Sequence, residues 1–141
     1  EALDFITENQ FMVLLSTVQA GKGQALFELG RLAEAEKWLK DALTTSLENG
    51  RAYQIIQSYL FLSRIAWEKG NVNLAGTYAE NGLVVAQEIQ ELTMTVDLAE
   101  MLVNVQKKRG NYAEALRMRE LAIAMRDSAN TEEKKRAALR L

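Results

Sequence analysis

Gly30-Arg-Leu-Ala-Glu-Ala35 is followed 40 residues later by Gly70-Asn-Val-Asn-Leu-Ala75, and 40 residues after that by Gly110-Asn-Tyr-Ala-Glu-Ala115. Each stretch reads Gly, a variable residue, a large apolar residue, two variable residues and Ala. A fixed period of roughly 20–50 residues is the mark of a solenoid, whose units bury their apolar faces against their neighbours. The three stretches therefore set the architecture before any helix is drawn.

The rest of the chain fits that period without a gap. Residues 11–50, 51–90 and 91–130 form three rows, and further columns agree: Leu32, Val72 and Tyr112; Trp38, Tyr78 and Met118; Leu43, Leu83 and Ile123. The chain opens on Glu1 with no initiator Met. Its first ten residues fall under the end of the first row, with Glu8-Asn9-Gln10 below Glu48-Asn49-Gly50. Residues 1–10 are accordingly expected to close the last helix of an earlier repeat, and residues 131–141 to begin a C-terminal capping or linker helix. The whole of 1–141 reads as one domain.

Composition agrees with a folded all-α chain. Apolar residues make up 48% and charged residues 26%, ordinary for a globular domain. Proline is absent, so long helices are permitted throughout. There is no cysteine and no histidine, which removes disulfides, thiolate chemistry, the usual zinc and iron ligand sets and the commonest general base. No metal, cofactor or catalytic residue is expected, and the chain does not read as an enzyme. No apolar run is long enough to span a membrane, and cysteine usage leaves the redox compartment open. Net charge is −2, with an acidic excess in residues 1–90 and a basic excess after them; neither suggests a nucleic-acid surface.

Each row divides at its glycine into two amphipathic segments. In the second row Tyr53, Ile56, Tyr59, Leu60 and Ser63 step by three and four towards Trp67, the period of a helix with one buried face. Helices are predicted over 11–29, 32–48, 51–69, 72–89, 92–109 and 112–127. Gly30, Gly70 and Gly110 stand where a left-handed residue ends the first helix of each pair. Asn71 and Asn111 are placed to cap the next helix, Asn111 with Glu114 as a near capping box, while Arg31 is a poorer cap. Ala35, Ala75 and Ala115, continued by Ala42, Gly82 and Ala122, form a thin stripe that lets the paired helices approach. Gly21-Lys22-Gly23 lacks the rest of a phosphate loop and is expected to mark a kink or a close helix approach.

Paired helices with Gly-x-large apolar-x-x-Ala at the turn, and a small residue seven positions after the Ala, resemble the tetratricopeptide repeat across nearly the whole chain. The usual unit is about 34 residues; here it is longer, similar to variants in bacterial signalling and regulatory proteins. Tyr59, Leu62 and Leu102 match the family pattern, whereas Gln19, Ala99, Lys22 and Val103 depart from it. HEAT repeats have a similar period but lack this Gly and Ala turn. The resemblance implies a right-handed α-solenoid of antiparallel helix pairs, a superhelix whose concave groove binds protein or peptide. Met125–Arg136 is similar to the segment that closes such regions in bacterial signalling proteins, ahead of an output domain of histidine kinase or diguanylate cyclase type.

Carrying the family's groove register onto these rows points to Thr17, Ala20, Gln24 and Phe27 on the first helix, Gln57, Leu60, Arg64 and Trp67 on the third, and Asp97, Glu100, Asn104 and Lys107 on the fifth. Arg64 can fork to a carboxylate, Asn104 can bond a peptide backbone and Trp67 offers a large rigid contact. Phe27 and Trp67 read equally well as packing between repeats, and Trp38 reads as packing because Tyr78 and Met118 repeat it. The expected function is a non-catalytic protein- or peptide-binding module. A dimerising segment that relays a signal to a downstream domain, with the chain as a homodimer, and a piece of a peptide-sensing transcriptional regulator are the alternatives.

Overall fold

The computed structural model describes residues 2–140, with side chains from Thr7 onward. Six helices follow one another: α1 (Ala2–Glu28), α2 (Leu32–Glu48), α3 (Ala52–Glu68), α4 (Val72–Glu88), α5 (Leu92–Lys108) and α6 (Tyr112–Leu139). The four internal helices are each 17 residues long and lie within a residue of their predicted bounds.

Four of the five turns share one full construction, and the fifth, at Gly50, keeps its outer bond from the Arg51 amide to the Ser46 carbonyl. At the first, the Gly30 amide donates to the Phe27 carbonyl and the Arg31 amide to the Leu26 carbonyl, and the same offsets recur at Gly70-Asn71, Gln90-Glu91 and Gly110-Asn111. This is a Schellman closure, which needs a left-handed residue at the turn. Gly30, Gly70 and Gly110 supply it with φ of 79°, 78° and 77°, and Gln90 adopts φ 55° without being glycine. Asn71 caps α4, its Oδ1 accepting from the Leu74 amide. The cap and capping box expected at Asn111 do not form: its amide donates to Gln106 Oε1, and Glu114 pairs with Arg117. Glu91, unforeseen in the sequence, caps α5 through the Met94 amide.

Each helix packs on the next, and α1, α3 and α5 also pack side by side, whereas α2, α4 and α6 do not meet one another. The stack therefore has a closed inner layer of odd helices and a splayed outer layer, the arrangement of an all-α solenoid. The core runs between the layers through Leu39, Ile56, Leu62, Ile65, Leu98 and Val103. The thin stripe is buried at Ala35, Ala75, Ala115, Ala42, Gly82 and Ala122. Gly23 marks a close approach: a Cβ there would lie 2.5 Å from Leu39 Cγ. α1 runs through Gly21 and Gly23 as one helix.

Both terminal helices outrun their expected bounds. α1 is continuous from Ala2 with no turn near residue 10, and α6 continues past residue 127 to Leu139. The reason lies in one column. Gly50 and Gln90 take positive φ and stop their helices, but Gln10 and Asn130, in the same column, remain helical.

Candidate functional site

The inner layer brings most of the expected groove residues to one surface, tied by polar rungs across neighbouring helices. Gln57 Nε2 donates to Gln24 Oε1 at 2.8 Å, and Arg64 faces Asp97 at 3.8 Å. The two rungs occupy the same columns one period apart, so an amide pair in one repeat becomes an ion pair in the next. Gln54 Nε2 donates to Thr17 Oγ1 at 3.4 Å and adds a third tie between α1 and α3. Asn104 stands in the column of Gln24 and Arg64, is exposed, and makes no side-chain hydrogen bond among the described residues.

The electrostatic centre is Arg64 with Asp97. Their 3.8 Å separation exceeds hydrogen-bond length, so the guanidinium keeps donors open; it also lies over the Phe61 ring, 5.0 Å from its centre. Burial pushes the Asp97 carboxyl above its ordinary pKa, and Arg64 offsets this only in part, with Glu100 and Glu91 adding to the rise. Asp97 is thus a half-buried acid whose charge Arg64 offsets only in part.

Several expected groove residues sit elsewhere. Leu60 is 2% exposed and belongs to the main core, so it is withdrawn from the binding surface, as is the fully buried Ala20. The register shift is physical: the column of Ala20, Leu60 and Glu100 turns towards the outer layer, where Glu100 pairs with Arg126 of α6. Phe27 is half-buried, packed on the core and edge-on to Phe61 at 5.6 Å. Trp67 is half-buried against Ala66, Ala75 and Val105, so both aromatics mainly join repeats. Lys107 is exposed at the end of the inner layer. Trp38 packs on the core beneath Lys22, whose Nζ lies 4.2 Å from the ring centre.

Two features escaped the sequence reading. Tyr53 is 53% exposed, and its spacing to Gln57 and Arg64 puts all three on one stripe of α3; the helical pattern contained it but was assigned to the core. A cleft of about 850 Å³ opens between the start of α5 and the far end of α6, lined among others by Glu91, Thr93, Asp97, Arg126, Glu133 and Arg136. It exists because α6 extends past residue 127. Among the described residues no cluster of acidic side chains could hold a metal ion, and no helix is long and apolar enough to cross a membrane.

Helix pairs stacked at a fixed period, with a polar inner face, define a helical-repeat scaffold. Residues 17–49 match the tetratricopeptide repeat family model, and the second and third rows repeat that unit's turn, stripe and packing. Repeats of that family are in general protein–protein interaction modules, and their fold is typically non-catalytic. No curated protein and no solved structure matches the chain.

Proposed function

We propose that this protein is a non-catalytic peptide- or protein-binding module that uses the inner face, centred on Tyr53, Gln57 and Arg64 of α3. The supporting observation is the incompletely satisfied Arg64–Asp97 rung beside an exposed tyrosine. An extended segment laid across the rungs would offer backbone groups to Gln57 and Gln24 and stack on Tyr53. An acidic side chain would compete with Asp97 for the guanidinium, which binds a carboxylate as a fork. The charged cleft beside Asp97 continues this surface towards α6.

The ligand class is therefore an extended peptide bearing at least one carboxylate. Peptides selected from a random display library should bind the unaltered chain at least about tenfold more tightly than Tyr53→Ala or Arg64→Gln, a difference of about 1.4 kcal/mol. Thr77→Glu, on the exposed side of α4, should leave binding unchanged. Loss at Thr77→Glu with none at α3 would refute the inner-face reading. A relay role in a bacterial signalling protein draws on one further observation: α6 leaves the stack as a continuous helix to Leu139, a form suited to passing a bound state onward.

A further inference from the structure

The splayed outer layer leaves a groove between successive outer helices, floored by the inner helix between them. The two grooves are built on the same columns 40 residues apart, yet their contents differ. Between α2 and α4, over α3, stands Tyr78. It packs on the core with its ring centre 6.2 Å from that of Tyr59, and the Lys40 ammonium of α2, held first by Glu36, is also stabilised by Tyr78. Between α4 and α6, over α5, Met118 takes the place of Tyr78, and a hollow of about 270 Å³ opens. Leu83, Val84 and Met118 wall it, and Leu102 lies in its floor. The hollow belongs to the interior of the stack. Its counterpart between α2 and α4 is not covered by the following outer helix, because α6 packs on α5 alone.

Two polar groups give the hollow a chemistry. Gln106 stands in the floor where α3 has Ala66, and it is only 8% exposed. Its Oε1 accepts from Asn111 Nδ2 at 3.2 Å, while its Nε2 donates to nothing among the described residues. A buried amide donor without an acceptor carries a cost that an oxygen-bearing occupant removes. At the rim, Glu80 stands where the filled groove has Lys40; it is exposed and enters no ion pair among the described residues, whereas Glu114 pairs with Arg117. The rim charge is thus reversed from that of the filled groove. The volume suits one large side chain and falls below the roughly 300–1,000 Å³ of small-molecule sites. A methionine thioether packs well against an aromatic ring, and tyrosine joins a ring to a polar tip.

We infer that this outer groove docks a partner protein through a tyrosine side chain flanked by lysine or arginine. The ring fills the hollow against Leu102 and Met118, the phenol oxygen accepts from Gln106 Nε2, and the neighbouring base meets Glu80. The partner supplies from outside what Tyr78 supplies within the preceding repeat. The surface is separate from the inner face: it selects basic segments where Arg64 selects acidic ones, and it stands whether or not that reading does.

The test is a nuclear magnetic resonance titration of the isotope-labelled full chain with the blocked tripeptide lysyl-tyrosyl-lysine amide. Two controls replace its tyrosine by phenylalanine or both of its lysines by glutamate. The first peptide is expected to give saturable shifts of the Gln106 side-chain amide and the Met118 methyl, the phenylalanine peptide to bind at least about threefold more weakly, and the glutamate peptide not to saturate. Met118→Tyr plugs the hollow with the residue of the filled groove and should abolish the shifts while circular dichroism shows helix content unchanged. Glu80→Lys, at an exposed position, should weaken binding at least about threefold and serves if Met118→Tyr loses helix. Absence of shifts at Gln106 and Met118, shifts confined to Gln57 and Arg64, equal binding of the three peptides, or undiminished binding by either folded variant would overturn the inference.

Discussion

Helices α1 and α5 are built on the same columns, yet columns that α5 buries lie open on α1. Leu98 and Val105 are fully buried beneath α4, while their counterparts Val18 and Ala25 are open to solvent. The sequence patterns hardly differ; the neighbour does. In a repeat protein a residue's burial is set by the unit beside it, so one column carries packing energy only where a neighbouring unit covers it. The largest effect that exposes this contrast is truncation of one column at both sites. Leu98→Ala should cost about 2–5 kcal/mol by denaturant unfolding, through the lost methylenes and the cavity left against Gly82. Val18→Ala should move the dilute chain by no more than about 0.5 kcal/mol. Equal costs would mean that α1 is covered.

A smaller effect separates two turns of one backbone form. Gly50 and Gln90 both close a Schellman turn, with φ of 63° and 55°, but the left-handed region penalises a side chain bearing Cβ. Gln90→Gly should raise stability by about 0.5–1 kcal/mol, and Gly50→Gln should lower it by a similar amount. Thermal unfolding of both variants checks the pair of signs.

The smallest is electrostatic and lies where α2 meets α3. Glu36 is held by Lys69 and then by Lys40, which push its carboxyl below the ordinary value of 4.5. A lowered folded pKa gives stability that is present above the unfolded value and lost as pH falls through the folded one. Glu36→Gln should therefore cost no more than about 1 kcal/mol at neutral pH, as for other partly exposed ion pairs. The difference from the unaltered chain should close on acidification below about pH 4.5. A gap that widens in acid would contradict the assignment.

The fold was legible where glycine and period agreed. Gly30, Gly70 and Gly110, with no proline to interrupt, place the four internal helices within a residue. The turn at Gln90 carries no glycine and was legible only because it falls under Gly50. The ends were not legible, since Gln10 and Asn130 occupy that same column and nothing local states whether such a residue turns or continues the helix. Of the candidate face, Gln57, Arg64 and Asp97 came from the groove register of the resembled family carried onto the rows. Leu60 was misplaced because a column shared by Ala20, Leu60 and Glu100 mixes core and surface types. The cleft beside Asp97 was out of reach, because it depends on a helix extension that no residue announces.

That the three rows form one coupled stack is tested most directly by removing one of them. A fragment of residues 1–110 lacks α6 and so uncovers Val96 and Ala99, which pack on Ala122. The coupled stack predicts a melting temperature lower by about 10 °C or more, with helix signal lost from α4 and α5 beyond the deleted residues. A fragment that melts cooperatively at the temperature of the full chain would contradict the account.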